Sequence, residues 1–85
     1  MIGFVYILQS LKDDKQYVGS TINYKRRLKE HNDGLVKSTK NRRPFVLKYV
    51  LQYETIEKAA EMEKKFKRSH GTLSRELKNR GMAQW

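Results

Sequence analysis

Cysteine is absent from all 85 residues, which rules out a disulfide framework and any metal site built on thiolates. A reducing, cytoplasmic setting suits such a chain. Proline occurs once, at Pro44, and neither a repeat nor a low-complexity segment divides the sequence. The length suits a single domain over residues 1–85 with a modest core, and 38% apolar residues are still enough to build one. Long apolar runs are missing too. The longest, residues 4–8, falls far short of the roughly 20 residues that a bilayer-spanning helix needs. No basic-then-apolar signal segment precedes it. A soluble protein without membrane association is expected.

Acidic residues are also scarce. Nine Asp and Glu face nineteen Lys and Arg, a formal net charge of +10. Such a surplus on a small chain favours a polyanionic partner, most simply nucleic acid. Anionic lipid is disfavoured because no helical stretch is clearly amphipathic with bulky apolar residues. An ordinary basic surface is the plainer alternative.

What is present reads as β-β-α-β-α-α, an α+β domain with a small three-stranded antiparallel sheet flanked by helices. "FVYILQS" (4–10) is β-branched and aromatic and apolar on both faces, so it should be the central strand. "LKDDK" is a polar turn into a second strand, "QYVGS" (16–20). Thr21 or Asn23 can cap a helix that stops near Gly34. Residues 35–44 form a basic loop closed by Pro44. "FVLKYVLQY" (45–53) is a third strand, and strict alternation puts Phe45, Leu47, Tyr49, Leu51 and Tyr53 on one side. Thr55 then caps a helix to about Arg68, and Gly71 separates it from a short last helix over 74–79.

Both longer helices carry polar groups where a core-facing stripe should be. In the first, Tyr24 and Leu28 are the apolar anchors, about 40° apart, and Arg27 and His31 lie beside them on the same side. In the second, Ile56, Ala59, Ala60 and Phe66 define an apolar arc of about 120°, and Glu63 falls near its middle. The ordinary account of Glu63 is an i, i+4 ion pair with Lys67, and Arg27 alone reads as a solvated arginine. Together, however, the two helices turn a cation, a proton carrier and a carboxylate inward. The strands add Tyr6 and Tyr17, core aromatics whose hydroxyls still need partners.

"FVYIL" at 4–8, "YVGST" at 17–21, "RLKEH" at 27–31 and "AAEMEKKFK" at 59–67 resemble, in that order, the GIY-YIG nuclease domain. The loop "STKNRRP" (38–44) is similar to that of its small stand-alone bacterial members. The first motif opens with Phe4 where the name-giving pattern has glycine, and Asn79 is the only candidate for the late asparagine of some members. The resemblance implies a three-stranded antiparallel sheet flanked by helices and metal-dependent hydrolysis of DNA phosphodiesters. It assigns Tyr6 and Tyr17 to the signature tyrosines, Gly19 to the closing glycine, Arg27 to the catalytic arginine, His31 to the following histidine, and Glu63 to the metal-binding glutamate. The implied ion is Mg²⁺, with Mn²⁺ as the alternative.

That chemistry needs these groups. A planar guanidinium suits the non-bridging oxygens of a crowded phosphorane-like state. One carboxylate plus waters suits Mg²⁺, and a tyrosine or His31 can take the proton of the attacking water. All five groups are expected to line one shallow concave surface over the sheet, with Lys37, Lys40, Arg42 and Arg43 at its rim gripping the DNA backbone. With no appended recognition domain in view, specificity would fall to a protein partner. The competing readings are a catalytically weak nucleic-acid-binding module acting with a partner, and a basic ribosome-associated protein.

Overall fold

A computed structural model of the chain describes residues 1–81. Its elements are β1 (Gly3–Ser10), β2 (Gln16–Thr21), α1 (Tyr24–Asn32), a 3-10 turn (Lys40–Arg42), β3 (Phe45–Tyr53), α2 (Ile56–Arg68) and α3 (His70–Asn79). The three strands form one antiparallel sheet in the order β2-β1-β3, so the first strand is central as its two apolar faces require. No helix among the described residues is long and apolar enough to cross a membrane.

Each face of β1 belongs to a different core. Val5 and Ile7 pack with Leu51 of β3, Ala59 and Phe66 of α2, and Leu73 and Leu77 of α3. Tyr6 and Leu8 face the other way, toward Phe45 and the partly buried Tyr17, Tyr24, Leu28 and Leu47. α1 therefore covers one face of the sheet, while α2 and α3 cover the opposite one.

Two local expectations are corrected. The apolar residues of β3 do not share one side: Phe45 and Leu47 join the α1 face, whereas Tyr49, Leu51 and Tyr53 join the α2–α3 face. The reason is a register shift, since Ile7 pairs with Tyr49 while Leu8 pairs with Leu47, leaving Lys48 as an extra residue. One inserted residue inverts the alternation beyond it. The last helix also begins at His70 rather than near residue 74, because the Ser69 side chain accepts from Thr72 N and caps it ahead of Gly71. The first helix ends as read: Asn23 caps it, and Gly34 takes the left-handed φ of +78° just beyond Asp33.

The basic loop is pinned rather than loose. Ser10 Oγ, fully buried, donates to the Arg42 carbonyl at 2.6 Å. Asn32 holds both backbone groups of Phe45, donating to its carbonyl at 3.0 Å and accepting from its N–H at 2.7 Å. Thr39 Oγ1, also fully buried, meets His31 Nδ1 at 2.6 Å. His31 is 0% exposed, and its Nε2 lies 3.0 Å from the Tyr6 hydroxyl. Burial above all, with the positive charge of Arg27 behind it and Glu30 opposing, holds this imidazole down to about 4.

His31 is thus neutral in the folded chain at pH 7. Below its ordinary value of about 6.5 the unfolded chain gains a proton that the folded chain refuses. Stability should be fully present above that value and fall as the pH drops toward 4, by roughly 1.4 kcal/mol per pH unit at most. Urea titrations from pH 7.5 to 5 test this: wild type should lose about 2 kcal/mol across the lower part of the range, and His31→Gln should show a much flatter dependence.

Candidate active site

The site starts from one cross-strand pair. Tyr6 lies opposite Gly19, and the phenol passes over the glycine, so a Cβ at position 19 would overlap the Tyr6 hydroxyl and its ring end. Only glycine leaves that passage open. The hydroxyl then reaches α1, where it meets His31 Nε2 and is also a hydrogen-bond partner of the Arg27 guanidinium. Rings close around it: Tyr17 stands 4.9 Å from His31 between centroids, and Phe45 stands 5.9 Å from His31.

The hydrogen-bond network assigns the histidine tautomer. Thr39 Oγ1 donates to the Val36 carbonyl at 3.4 Å, so it accepts from His31 Nδ1–H. Nε2 then carries the lone pair and accepts from the Tyr6 O–H. The phenol oxygen keeps a lone pair for Arg27. Burial pushes the Tyr6 hydroxyl up to about 12, partly offset by its hydrogen bond to Arg27 and reinforced by the charges of Tyr17 and Glu63. Tyr6 is therefore a neutral phenol at pH 7, not a phenolate. Arg27 is part-exposed, bonds Glu30 Oε1 at 3.0 Å, and is held more firmly protonated by Glu30 and Tyr6.

Glu63 arrives from the other side. Its Oε1 accepts from Ser20 Oγ at 2.5 Å, and its Oε2 pairs with Lys67 Nζ at 2.7 Å. Successive residues of β2 face opposite ways, so Tyr17 and Gly19 belong with α1 whereas Val18 and Ser20 belong with α2. The expectation of one concave surface is overturned: Glu63 and Arg27 approach the sheet from opposite sides, the placement that tells against the nuclease reading, and the free edge of β2 lies between them. One contact crosses that edge: Lys67 Nζ lies 5.5 Å from the centroid of the Tyr17 ring.

No cluster of three or more His, Cys, Asp or Glu side chains able to hold a metal occurs among the described residues. Zinc, which takes three or four protein ligands, does not fit. A hard ion that keeps most of its water does fit a single part-buried carboxylate. Glu63 is the side chain that would hold it, with Lys67 displaced.

The basic loop divides. Arg42 Nε pairs with Asp13 at 3.0 Å and its guanidinium lies 5.7 Å from the Phe45 ring centroid, so it clasps the β1–β2 turn. Arg43 Nε donates to the Lys40 carbonyl at 2.8 Å and packs over Gly34. Lys37 and Lys40 are exposed. Asn79 closes α3, exposed, on a helix packed against α2. Ser20 and Thr39, the partners of Glu63 and His31, escaped sequence reasoning. Their positions directly after Gly19 and inside "STKNRRP" were the available signal.

The comparisons with known proteins agree. Residues 2–78 match the family model described as the GIY-YIG catalytic domain. A UPF0213 protein of Bacillus licheniformis is 40% identical over 78 residues, covering 91% of this chain and 75% of its own. A UPF0213 protein of Staphylococcus haemolyticus is 38% identical over 76 residues, covering 88% and 87%. The solution NMR structure of a UPF0213 protein from Bacillus halodurans superposes with a TM-score of 0.52 at 32% identity, covering 93% of this chain and 84% of that one. With a family match over nearly its whole length and a solved relative 32% identical across 93% of it, the chain belongs to the GIY-YIG nuclease domain family.

Proposed function

We propose that this protein is a metal-dependent endonuclease that hydrolyses DNA phosphodiester bonds at the β2 edge. The observation that supports it best is the buried Tyr6–His31–Thr39 chain, with the Arg27 guanidinium near its phenol end. His31 and Tyr6 are both closed to bulk solvent, at 0% and 1% exposure, so on this reading the bound phosphate must seat the attacking water against the Tyr6 oxygen, and His31 acts through Tyr6. As water attacks phosphorus, the phenol oxygen accepts the water proton while its own proton passes to His31 Nε2, leaving an imidazolium and a re-formed phenol. The low resting basicity of His31 keeps Nε2 unprotonated at pH 7, and the negative charge gathering on the phosphoryl group supports the imidazolium. Arg27 offers its remaining N–H groups to the non-bridging oxygens. A divalent ion on Glu63, Mg²⁺ or Mn²⁺, supplies charge neutralisation for the phosphate and the leaving oxygen.

One observation favours the second reading, a nucleic-acid-binding module that works with a protein partner. Both Glu63 oxygens are occupied, by Ser20 and by Lys67, so the metal ligand is engaged in the free protein.

Plasmid nicking with Mg²⁺, against an EDTA control, separates the two. Wild type should nick, and Glu63→Ala and Arg27→Ala should each lose about 10²-fold or more. Binding should survive Glu63→Ala or tighten, because a negative charge leaves a basic surface. Its stability should shift by no more than about 1 kcal/mol, as a part-exposed ion pair is exchanged for a better helix former. Undiminished nicking by folded Glu63→Ala ends the assignment.

Gly19→Ala should remove activity by a different route. The added methyl has to push the Tyr6 phenol off His31, so activity and melting temperature should fall together. Unchanged activity in Gly19→Ala would mean that the Tyr6–His31 contact carries no chemistry.

The loop makes a third test. Lys37→Ala with Lys40→Ala should flatten the salt dependence of DNA binding by roughly one to two units of log–log slope, at unchanged stability. Arg42→Ala should do the reverse, costing stability through the lost clasp on Asp13 and changing the slope little. A gel-shift salt series beside thermal melts reads both.

A further inference from the structure

A second basic surface lies on the α2–α3 face, away from the loop. The β1–β2 hairpin and the start of α3 enclose a cleft of about 510 Å³ lined by Lys15, Gln16, Lys48 and His70. A smaller cleft of about 220 Å³ shares Gln16 and His70 with it and runs on to Tyr17 and Lys67. The two adjoin at Gln16 and His70 beside the free edge of β2, and together they are called the groove. It begins at Lys67, one turn from Glu63 on α2, and leads away from the candidate active site to Lys15 and Lys48.

Several features suit this groove to a nucleic-acid strand. Lys48 is the extra residue of the β3 bulge, and its Nζ reaches Gln9 Oε1 at 2.8 Å, which brings an ammonium to the groove wall. The Asp14 carboxylate is the one acidic group in the lining, against the ammoniums of Lys15, Lys48 and Lys67. At the active-site end the lining becomes aromatic and apolar: Phe66 is buried behind it, and the partly exposed Tyr17 is the ring that reaches the surface. Ammoniums for a backbone and an aromatic ring for a base are the two requirements of single-strand binding. A paired duplex hides its base faces and can use only the first.

We propose that this groove holds a few unpaired nucleotides next to the scissile phosphate, so that the substrate is DNA with a single-stranded segment rather than intact duplex. The proposal rests on the nuclease reading for the position of the scissile phosphate, but not for the binding itself. The strand crosses the β2 edge between Arg27 on one face and Glu63 on the other, and leaves past Lys67 and His70.

Fluorescence anisotropy in EDTA, with a labelled single-stranded oligonucleotide and the matching blunt duplex, tests it without turnover. Wild type should prefer the single strand. Lys15→Glu and His70→Glu, both at exposed positions outside the candidate active site, should each weaken single-strand binding by about tenfold, and Lys15→Glu should lower the log–log salt slope by roughly 0.7. Lys64→Glu, on the exposed side of α2, changes net charge as much as Lys15→Glu and should stay within about twofold of wild type. Thermal melts confirm folding. Equal losses in Lys15→Glu and Lys64→Glu would reduce the effect to net charge and overturn the groove. Wild-type affinity in both groove variants, or a wild-type preference for duplex, overturns it too. Wild type that shows the expected binding but never cleaves leaves the groove standing and ends only the nuclease reading.

Discussion

Tyr6 has to pass over a residue without a side chain to reach His31, and most of the site depends on that passage. The cross-strand pairing of Tyr6 with Gly19 fixes where the phenol crosses β2. The hydroxyl holds His31, His31 holds Thr39, and Thr39 anchors the basic loop. Each member is buried, so each polar atom depends on the next for its hydrogen bond. The same chain that ties the loop to the sheet ends in a buried phenol beside Arg27. On the proposed reading, stability and chemistry share these atoms.

The edge position of β2 explains how two helices on opposite faces serve one site. Alternation sends Gly19 toward α1 and Ser20 toward α2, and these neighbours position Tyr6 and Glu63 respectively. A central strand could not do this, because its second edge would be covered. At an edge the two faces are a strand's width apart, and both are open to solvent.

Much of this was legible in the sequence where burial and periodicity disagreed. Arg27 and His31 stood out because they share the narrow stripe of Tyr24 and Leu28, and α1 does place His31 in the core. The sheet order followed from the two-faced apolar pattern of the first strand. The parts that could not be read came from single-residue events. The bulge at Lys48 splits β3 between two cores, and nothing local in "FVLKYVLQY" marks it. Ser69 extends α3 through Gly71, a hydrogen bond outweighing a propensity. Arg42 and Lys40 look alike by charge, but only the fold brings Asp13 to Arg42. Single-strand alternation likewise could not show that Glu63 and Arg27 approach the sheet from opposite sides.

The ion pair of Glu63 with Lys67 satisfies both the ordinary and the functional account of the glutamate. In a chain of net charge +10, any carboxylate at the rim of the core will find an ammonium in the free protein. Lys67 is about half exposed, and such pairs contribute only about 0–1 kcal/mol. A pair that weak is exchangeable. On the proposed reading, Glu63 would exchange Lys67 for a divalent ion and the freed ammonium would face the phosphate, while Ser20, which holds Oε1 independently of Lys67, would keep the carboxylate oriented.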